Sequence, residues 1–282
     1  MDVAQYAAKH GLKRVGARPP LGAYLKETWA RRRFIYELAK FKIQSTNQRT
    51  RLGMWWVVAT PILNAVVYGV VFGLLQGSRR PPDFVLFLTA GVFIFQFFTA
   101  SMNGGSKAII SNIAFVQSLR FPRLVLPISV LVQGFLNFLP MVVVLVALNL
   151  MFGNYPTWRW LLFIPVIIMI TVFNLGIILV TARITVHIRD FTQMLPFITR
   201  FMFYTSGIFF QISTILAQWP AAVRAYDFHP LHVYLTLSRS VFLDSVEASS
   251  DYWVIGSVWA LGLAIFGIIF FWQAEAKYGR NE

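Results

Sequence analysis

Apolar residues fall into six long blocks along the 282-residue chain, at 55–75, 84–102, 124–152, 160–182, 192–215 and 252–272, and polar residues gather between them. The blocks hold a single charge, Arg200. Each block reaches the roughly 20 residues that a helix needs to cross ~30 Å of hydrocarbon, whereas a transmembrane strand needs only about 10 and alternates polar with apolar. The pattern predicts an all-α integral membrane protein with six transmembrane helices. Composition agrees, because 57% hydrophobic against 13% charged residues lies outside the range of ordinary soluble domains.

Residues 1–24, with Gly11, Gly16, Gly22 and Pro19-Pro20, read as a mobile cytoplasmic lead. In the segment 25–52, Phe34, Leu38 and Phe41 share a helical face with Ile35 beside it, while Arg32, Arg33, Glu37 and Lys40 fall elsewhere. This predicts an amphipathic interfacial helix lying among the headgroups. In RLGMWWVVATP it meets the spanning domain, 53–273, at an elbow, Leu52-Gly53, with Trp55 and Trp56 at headgroup level. A basic anchor and an aromatic belt without mechanical role would look the same. Gly69 and Gly73 have the spacing that permits close helix approach, and 274–282 form a tail. No short apolar core followed by small residues opens the chain, so no cleaved signal peptide is expected.

Lys and Arg set the orientation. Twelve lie in residues 1–52, and with those of 103–123, 183–191 and the tail they make 19 of 25. An even number of spans then places both termini on the cytoplasmic side of the inner membrane. Arg79, Arg80, Arg159, Arg224 and Arg239 are assigned to the outer side. The net charge of +14 thus reflects topology and anionic headgroups, and nucleic acid is not an expected partner.

Between the second and third blocks, NGGSKAIISNIAFVQSLRFPR opens on a Gly-Gly break and repeats Ile109, Ile113 and Val116 at helical spacing. It reads as a short cytoplasmic helix, either a contact surface for a soluble partner or a lipid-facing connector. Pro127, Pro140, Pro165 and Pro196 predict kinks that neighbouring helices make tolerable. The segment 216–251 is too apolar for a solvated loop and too broken, by Pro220 and Pro230, to span. Two short re-entrant helices on the outer side fit it, around Trp219, His229, Pro230 and Arg239.

The spans hold no Asp, Glu, His or Lys, so neither acid–base chemistry nor a proton relay can be assembled at mid-membrane. The chain has no cysteine, and His229 and His232 lack a carboxylate at ligand spacing, so no metal site is expected. Without GxxxxGK[ST] it has no ATP-binding loop of its own; a motor, if there is one, is another chain. Aromatics stand in place of charges: Phe93, Phe95, Phe97 and Phe98 in the second block, Phe201, Phe203, Tyr204, Phe209 and Phe210 in the fifth. They either stack on the C–H faces of sugars along a path or simply pack and meet lipid. Arg200 either faces a cavity, a partner or an anionic headgroup, or is hydrogen-bonded within the fold or snorkelling.

The basic helix running into RLGMWWVVATP, the segment SNIAFVQSLRFPRLVLP, the loop TARITVHIRDF and the element HPLHVYLTLSRSVFLD together cover roughly residues 25–280. In that order they resemble the permease subunit of bacterial polysaccharide exporters of the ABC-2 class, which move lipid-linked O-antigen, teichoic acid or other cell-wall glycans. The wording is most similar to actinobacterial exporters of cell-wall galactan. The resemblance implies a homodimer of permeases on two ATP-binding-cassette subunits, with no cofactor on this chain and ATP and Mg on the partner. It sets Lys107, Ile113, Phe115, Arg120, Arg183, Arg189 and Asp190 against the ATPases and the re-entrant helices at the exit. Where the family often shows Asn-Pro, this chain has His229-Pro230.

On this reading, ATPase closure levers the surface helix at its elbow and parts the two permeases along the first and fifth spans. A polyprenyl-diphosphate-linked glycan would enter at Arg31, Arg32, Arg33, Arg49 and Arg51. It would then pass Trp55, Trp56, Phe93, Phe97, Arg200, Phe201 and Tyr204. A small-molecule exporter of the same class, and a motor-free channel or scaffold, are the rival readings.

Overall fold

The computed structural model describes residues 19–47, 51, 53–76, 83–118, 121–212, 218–275 and 278, which are helical and contain no strand. Helices α1 (Leu21–Ala30) and α2 (Arg32–Asn47) form a rod broken only at Arg31. Its buried line, Tyr24, Thr28, Ile35, Ala39 and Ile43, steps by fours and sevens and so keeps one face on the protein. Phe34 and Phe41 point away from it and are exposed. The rod thus has two apolar stripes, and the one centred on Ile35 fastens it to the fold.

A turn at Gly53–Trp55 leads into α3 (Trp56–Gln76). Gly53 has φ +50°, a left-handed conformation that favours glycine, while Leu52 lies outside the described residues. Helix α4 (Phe84–Lys107) occupies the centre of the bundle and packs on α3, α6 (Val125–Met151) and α7 (Phe163–His187). A short helix, α5 (Ile113–Ser118), joins α4 towards α6. Helices α8 (Phe191–Thr205), α9 (Pro220–Tyr226), α10 (Pro230–Phe242) and α11 (Ser250–Gln273) follow, and short tighter turns of helix stand at Ile110–Asn112 and Trp158–Leu162.

Among the described residues, four helical stretches are long and apolar enough to cross a membrane: α4, α6, Trp158–His187 and α11. Trp56–Val71 is a shorter apolar helix. The block 192–215 is not one continuous helix over its described part. Helix α8 stops at 15 residues, and the chain turns at Gly207 with φ +78°.

Other expectations change as well. The pair Gly104-Gly105 does not end α4, which runs on to Lys107. A Cβ on Gly105 would lie 2.6 Å from Thr181 Oγ1 and 2.7 Å from Ile178 Cα, and one on Gly104 2.6 Å from Val130. These glycines are where α4 wedges between α6 and α7, and that packing offsets a helix penalty of about 1 kcal/mol each. Gly176 does the same for α7 and α11, with a Cβ falling 2.5 Å from the Leu263 carbonyl oxygen. Gly69, by contrast, meets nothing within 4 Å. Pro127 and Pro165 sit in first turns, where the missing N–H had no helical partner to lose, whereas Pro140 and Pro196 are interior.

Helices α9 and α10 each begin on proline, and α10 is buried from Leu231 to Arg239 against α4, α7 and α11. At 13 residues it is too short to cross a bilayer. Its Tyr234 joins an aromatic core in which Phe98, Phe173 and Tyr234 follow one another at 6.2 and 5.2 Å.

Candidate functional site

At the end of the bundle that carries the basic rod, three remote segments are tied together. The Tyr24 hydroxyl donates to Glu275 Oε2 at 2.6 Å and accepts the backbone N–H of Leu124 at 3.0 Å. Arg123 donates its backbone N–H to Glu275 Oε1 at 3.1 Å and its guanidinium to the Glu275 carbonyl at 2.7 Å. Trp272 Nε1 donates to the Pro19 carbonyl at 2.9 Å. Burial pushes the Glu275 carboxyl above its usual range, against the hydrogen bonds from Tyr24 and Arg123 that lower it. Burial, with Glu275 beside it, keeps the Tyr24 phenol protonated. Through this joint the surface rod is fixed to the start of α6 and the end of α11. Tyr24 and Glu275 lie 251 positions apart, so no local pattern announces their contact.

The rod also reaches α5 through aromatic edges, Phe34 to Phe121 at 6.3 Å and Phe121 to Phe115 at 6.4 Å. Of the residues expected to meet an ATPase, Lys107, Ile113, Phe115, Arg189 and Asp190 are exposed. Arg183 is not free for that role: its guanidinium donates to the Phe270 carbonyl and lies 3.9 Å from the Phe270 ring, on α11. Arg120 is outside the described residues. Of the basic set, Arg32, Arg33 and Arg51 are exposed, Arg31 pairs with Glu27 at 3.1 Å, and Arg49 is outside the described residues.

The expected path residues separate into two groups. Trp55, Trp56, Arg200, Phe201 and Tyr204 are exposed, and Phe201 and Tyr204 share the uncovered face of α8 with Met194 and Phe197. Helix α3 shows a similar face at Ile62, Val66, Val70 and Leu74, and Tyr68 meets Phe203 at 5.7 Å, so the two helices are neighbours. Phe93 and Phe97 correct the expectation: each is 1% exposed, Phe97 stacked on Phe138 at 4.8 Å, so neither lines a surface of the protomer. An uninterrupted run of phenylalanines carries no sign of which faces protein.

Arg239, assigned to the outer side in a re-entrant helix, is 2% exposed and lies over the Phe87 ring at 3.5 Å. Its fork donates to the carbonyls of Phe87 at 3.0 Å, Gly207 at 2.9 Å and Ile208 at 2.7 Å. Two of those carbonyls are released where α8 breaks, and Gly91 leaves the guanidinium room, since a Cβ there would fall 2.5 Å from Nη2. Arg239 is therefore hydrogen-bonded within the fold, whereas Arg200 is exposed. The available signal was a lone cation in the apolar stretch LHVYLTLSRSVFL.

His229 takes the place expected of Asn: its Nδ1 accepts the His232 N–H at 3.3 Å and caps α10. Burial lowers its pKa, which keeps that lone pair available. Trp219 is exposed immediately before α9, and Pro230 fills the first position of α10. Among the described residues no three His, Asp or Glu side chains gather as metal ligands would.

Long apolar helices in a bundle, with a basic rod tied to one end, define a multi-pass membrane protein. The profile of the ABC-2 type transporter family matches residues 34–243, and the chain belongs to that family. It is a multi-pass membrane subunit of a transporter, not an enzyme. Over 254 residues, 90% of this chain and 94% of the relative, it is 23% identical to the O-antigen export system permease protein RfbA of Myxococcus xanthus. It is 28% identical over 228 residues, 79% of this chain and 86% of the relative, to the protein of the same name from Klebsiella pneumoniae.

Proposed function

We propose that the chain is the permease subunit of an ATP-driven exporter that carries a polyprenyl-diphosphate-linked polysaccharide, O-antigen-like or a cell-wall galactan, across the cytoplasmic membrane. The observation that carries this reading is the likeness to two O-antigen export permeases along most of both chains. Two such permeases and two ATP-binding-cassette subunits form the working unit, and ATP and Mg belong to the latter. The uncovered apolar faces of α3 and α8 support pairing with a second copy. The basic end faces the cytoplasm, both termini lie there, and the chain crosses six times.

In this assembly, nucleotide-driven closure presses on Ile113 and Phe115 and on the rod. The Tyr24–Glu275–Arg123 joint passes the displacement to α6 and α11, and the α3 and α8 faces part. Arg32, Arg33 and Arg51 offer the diphosphate its first contacts, and the sugars pass Phe201 and Tyr204. The test is to purify the chain with its ATPase in nanodiscs and measure ATP hydrolysis with extracted lipid-linked glycan. Stimulation by the glycan supports the reading. Stimulation by hydrophobic drugs alone, or isolation without any ATPase, overturns it.

A further inference from the structure

We infer that the end of the bundle opposite the basic rod carries a two-chambered groove for consecutive neutral sugar units. This rests on the exporter reading above, which makes that end the outer one. The loop between α10 and α11 divides two cavities, and Asp244, Val246 and Glu247 line both. One, of about 490 Å³, extends among Gln211, Asp227, His232, Thr236 and Tyr252. The other, of about 550 Å³, is bounded by Trp158, Arg159 and Trp253. Both volumes lie within the range of roughly 300–1,000 Å³ typical of ligand sites.

The lining chemistry narrows the ligand. Three carboxylates line the first cavity, yet no trio of possible ligands lies close enough to hold a metal ion among the described residues. Anions are disfavoured, because Asp227, Asp244 and Glu247 face the space while Arg159 is paired with Asp244 at 2.9 Å and the Arg239 fork is taken up by carbonyls. The polar walls disfavour lipid. A sugar ring satisfies both kinds of surface: vicinal hydroxyls donate to carboxylates and side-chain amides, and its C–H face lies on an aromatic ring. Trp158, 73% exposed, and Trp253 supply indole faces in one chamber, and Tyr252, whose hydroxyl donates to Asp227, stands in the other. His232 is nine-tenths buried beside it, its ring edge-on to Tyr226 at 5.3 Å and to Tyr252 at 6.1 Å. Because Asp244, Val246 and Glu247 form a shared wall, an oligosaccharide crossing it touches both chambers, which would hold newly emerged units against slipping back.

The full chain with its ATPase partner in nanodiscs is probed by saturation-transfer NMR. The probes are methyl β-galactoside, a galactose disaccharide, sialyllactose and sorbitol. The neutral disaccharide is expected to bind best, and Trp158→Ala and Glu247→Ala each to weaken it by about five- to ten-fold at unchanged melting temperature. Sorbitol binding as well as the disaccharide, stronger binding of sialyllactose, or variants indistinguishable from wild type would overturn the groove. Export in cells separates the two readings. If deleting the gene abolishes glycan export while a variant carrying both Trp158→Ala and Glu247→Ala exports and binds normally, the groove alone fails. If deletion leaves export intact, the exporter reading fails, and disaccharide binding lost in the variants still upholds the groove.

Discussion

Replacing Arg239 by alanine removes a side chain that joins α10, the first turn of α4 and the turn beyond α8. Three carbonyl oxygens lose a charged donor, and a hydrogen bond to a charged group contributes about 1.5–3 kcal/mol net. Burial of a cation with no carboxylate opposite it takes back several kcal/mol. The balance is a loss of about 3–5 kcal/mol, because three buried carbonyls are left without a donor at about 1–3 kcal/mol each. Lysine keeps the charge but presents one ammonium where a planar fork bridged separate elements, so Arg239→Lys should lose roughly 2 kcal/mol. Methionine keeps the bulk without the charge. The assay is unfolding of the purified permease by SDS titration in mixed micelles, with fluorescence-detected gel filtration after heating as an independent readout. The order expected is wild type, then lysine, then alanine. If alanine stays within about 0.5 kcal/mol of wild type, or methionine matches it, the carbonyls do not need the guanidinium and the reasoning fails.

Gly176→Val would force α7 and α11 apart at the Leu263 carbonyl and should cost about 1–3 kcal/mol in the same titration. His229→Ala should cost about 1 kcal/mol through loss of the α10 cap, and His229→Asn should restore it. Since burial depresses the pKa of His229, the capping contribution is complete above the ordinary histidine value and is lost as pH falls through the depressed one; the Asn variant should be flat over that window. Tyr24→Phe should leave ATP hydrolysis largely intact while lowering glycan transport, measured side by side in proteoliposomes. Glu275→Gln tests the pH linkage: with its folded pKa raised, Glu275 contributes most below the ordinary carboxylate value and loses that contribution as pH rises through the raised one, a slope the Gln variant should lack.

Blocks whose only task is to stand in lipid were legible in the sequence. The blocks 124–152 and 252–272 differ from α6 and α11 by a residue or two, because apolarity alone defines such helices. The short helices starting at Pro220 and Pro230 were equally plain, since proline fits a first turn and little else inside a helix. What composition hid was the identity of each neighbour. Gly104-Gly105 has the same letters whether it breaks a helix or lets another helix in, and only the position of Ile178 decides. The partners of Arg239 were hidden because the carbonyls that hold it belong to α4 and to the turn after α8. Arg183 looked like a docking residue for the same reason, its acceptors being on α11. The break of α8 left little mark in hydropathy, because Thr205-Ser206-Gly207 is a short interruption between Phe201–Tyr204 and Ile208–Phe210.

The Arg239 clasp also constrains how the protein is made. Arg239 stands in the last turn of α10; a charge costs up to about 2.5–3.5 kcal/mol at the centre of an inserted helix, and the acceptors that hold this one lie on α4 and just beyond α8. The acceptors arise only once the earlier helices have been released sideways and α8 has bent. The clasp on Arg239 can therefore close only when α4 and the end of α8 are in place, so a lesion in either should surface as a late assembly defect in a chain whose earlier helices had inserted normally.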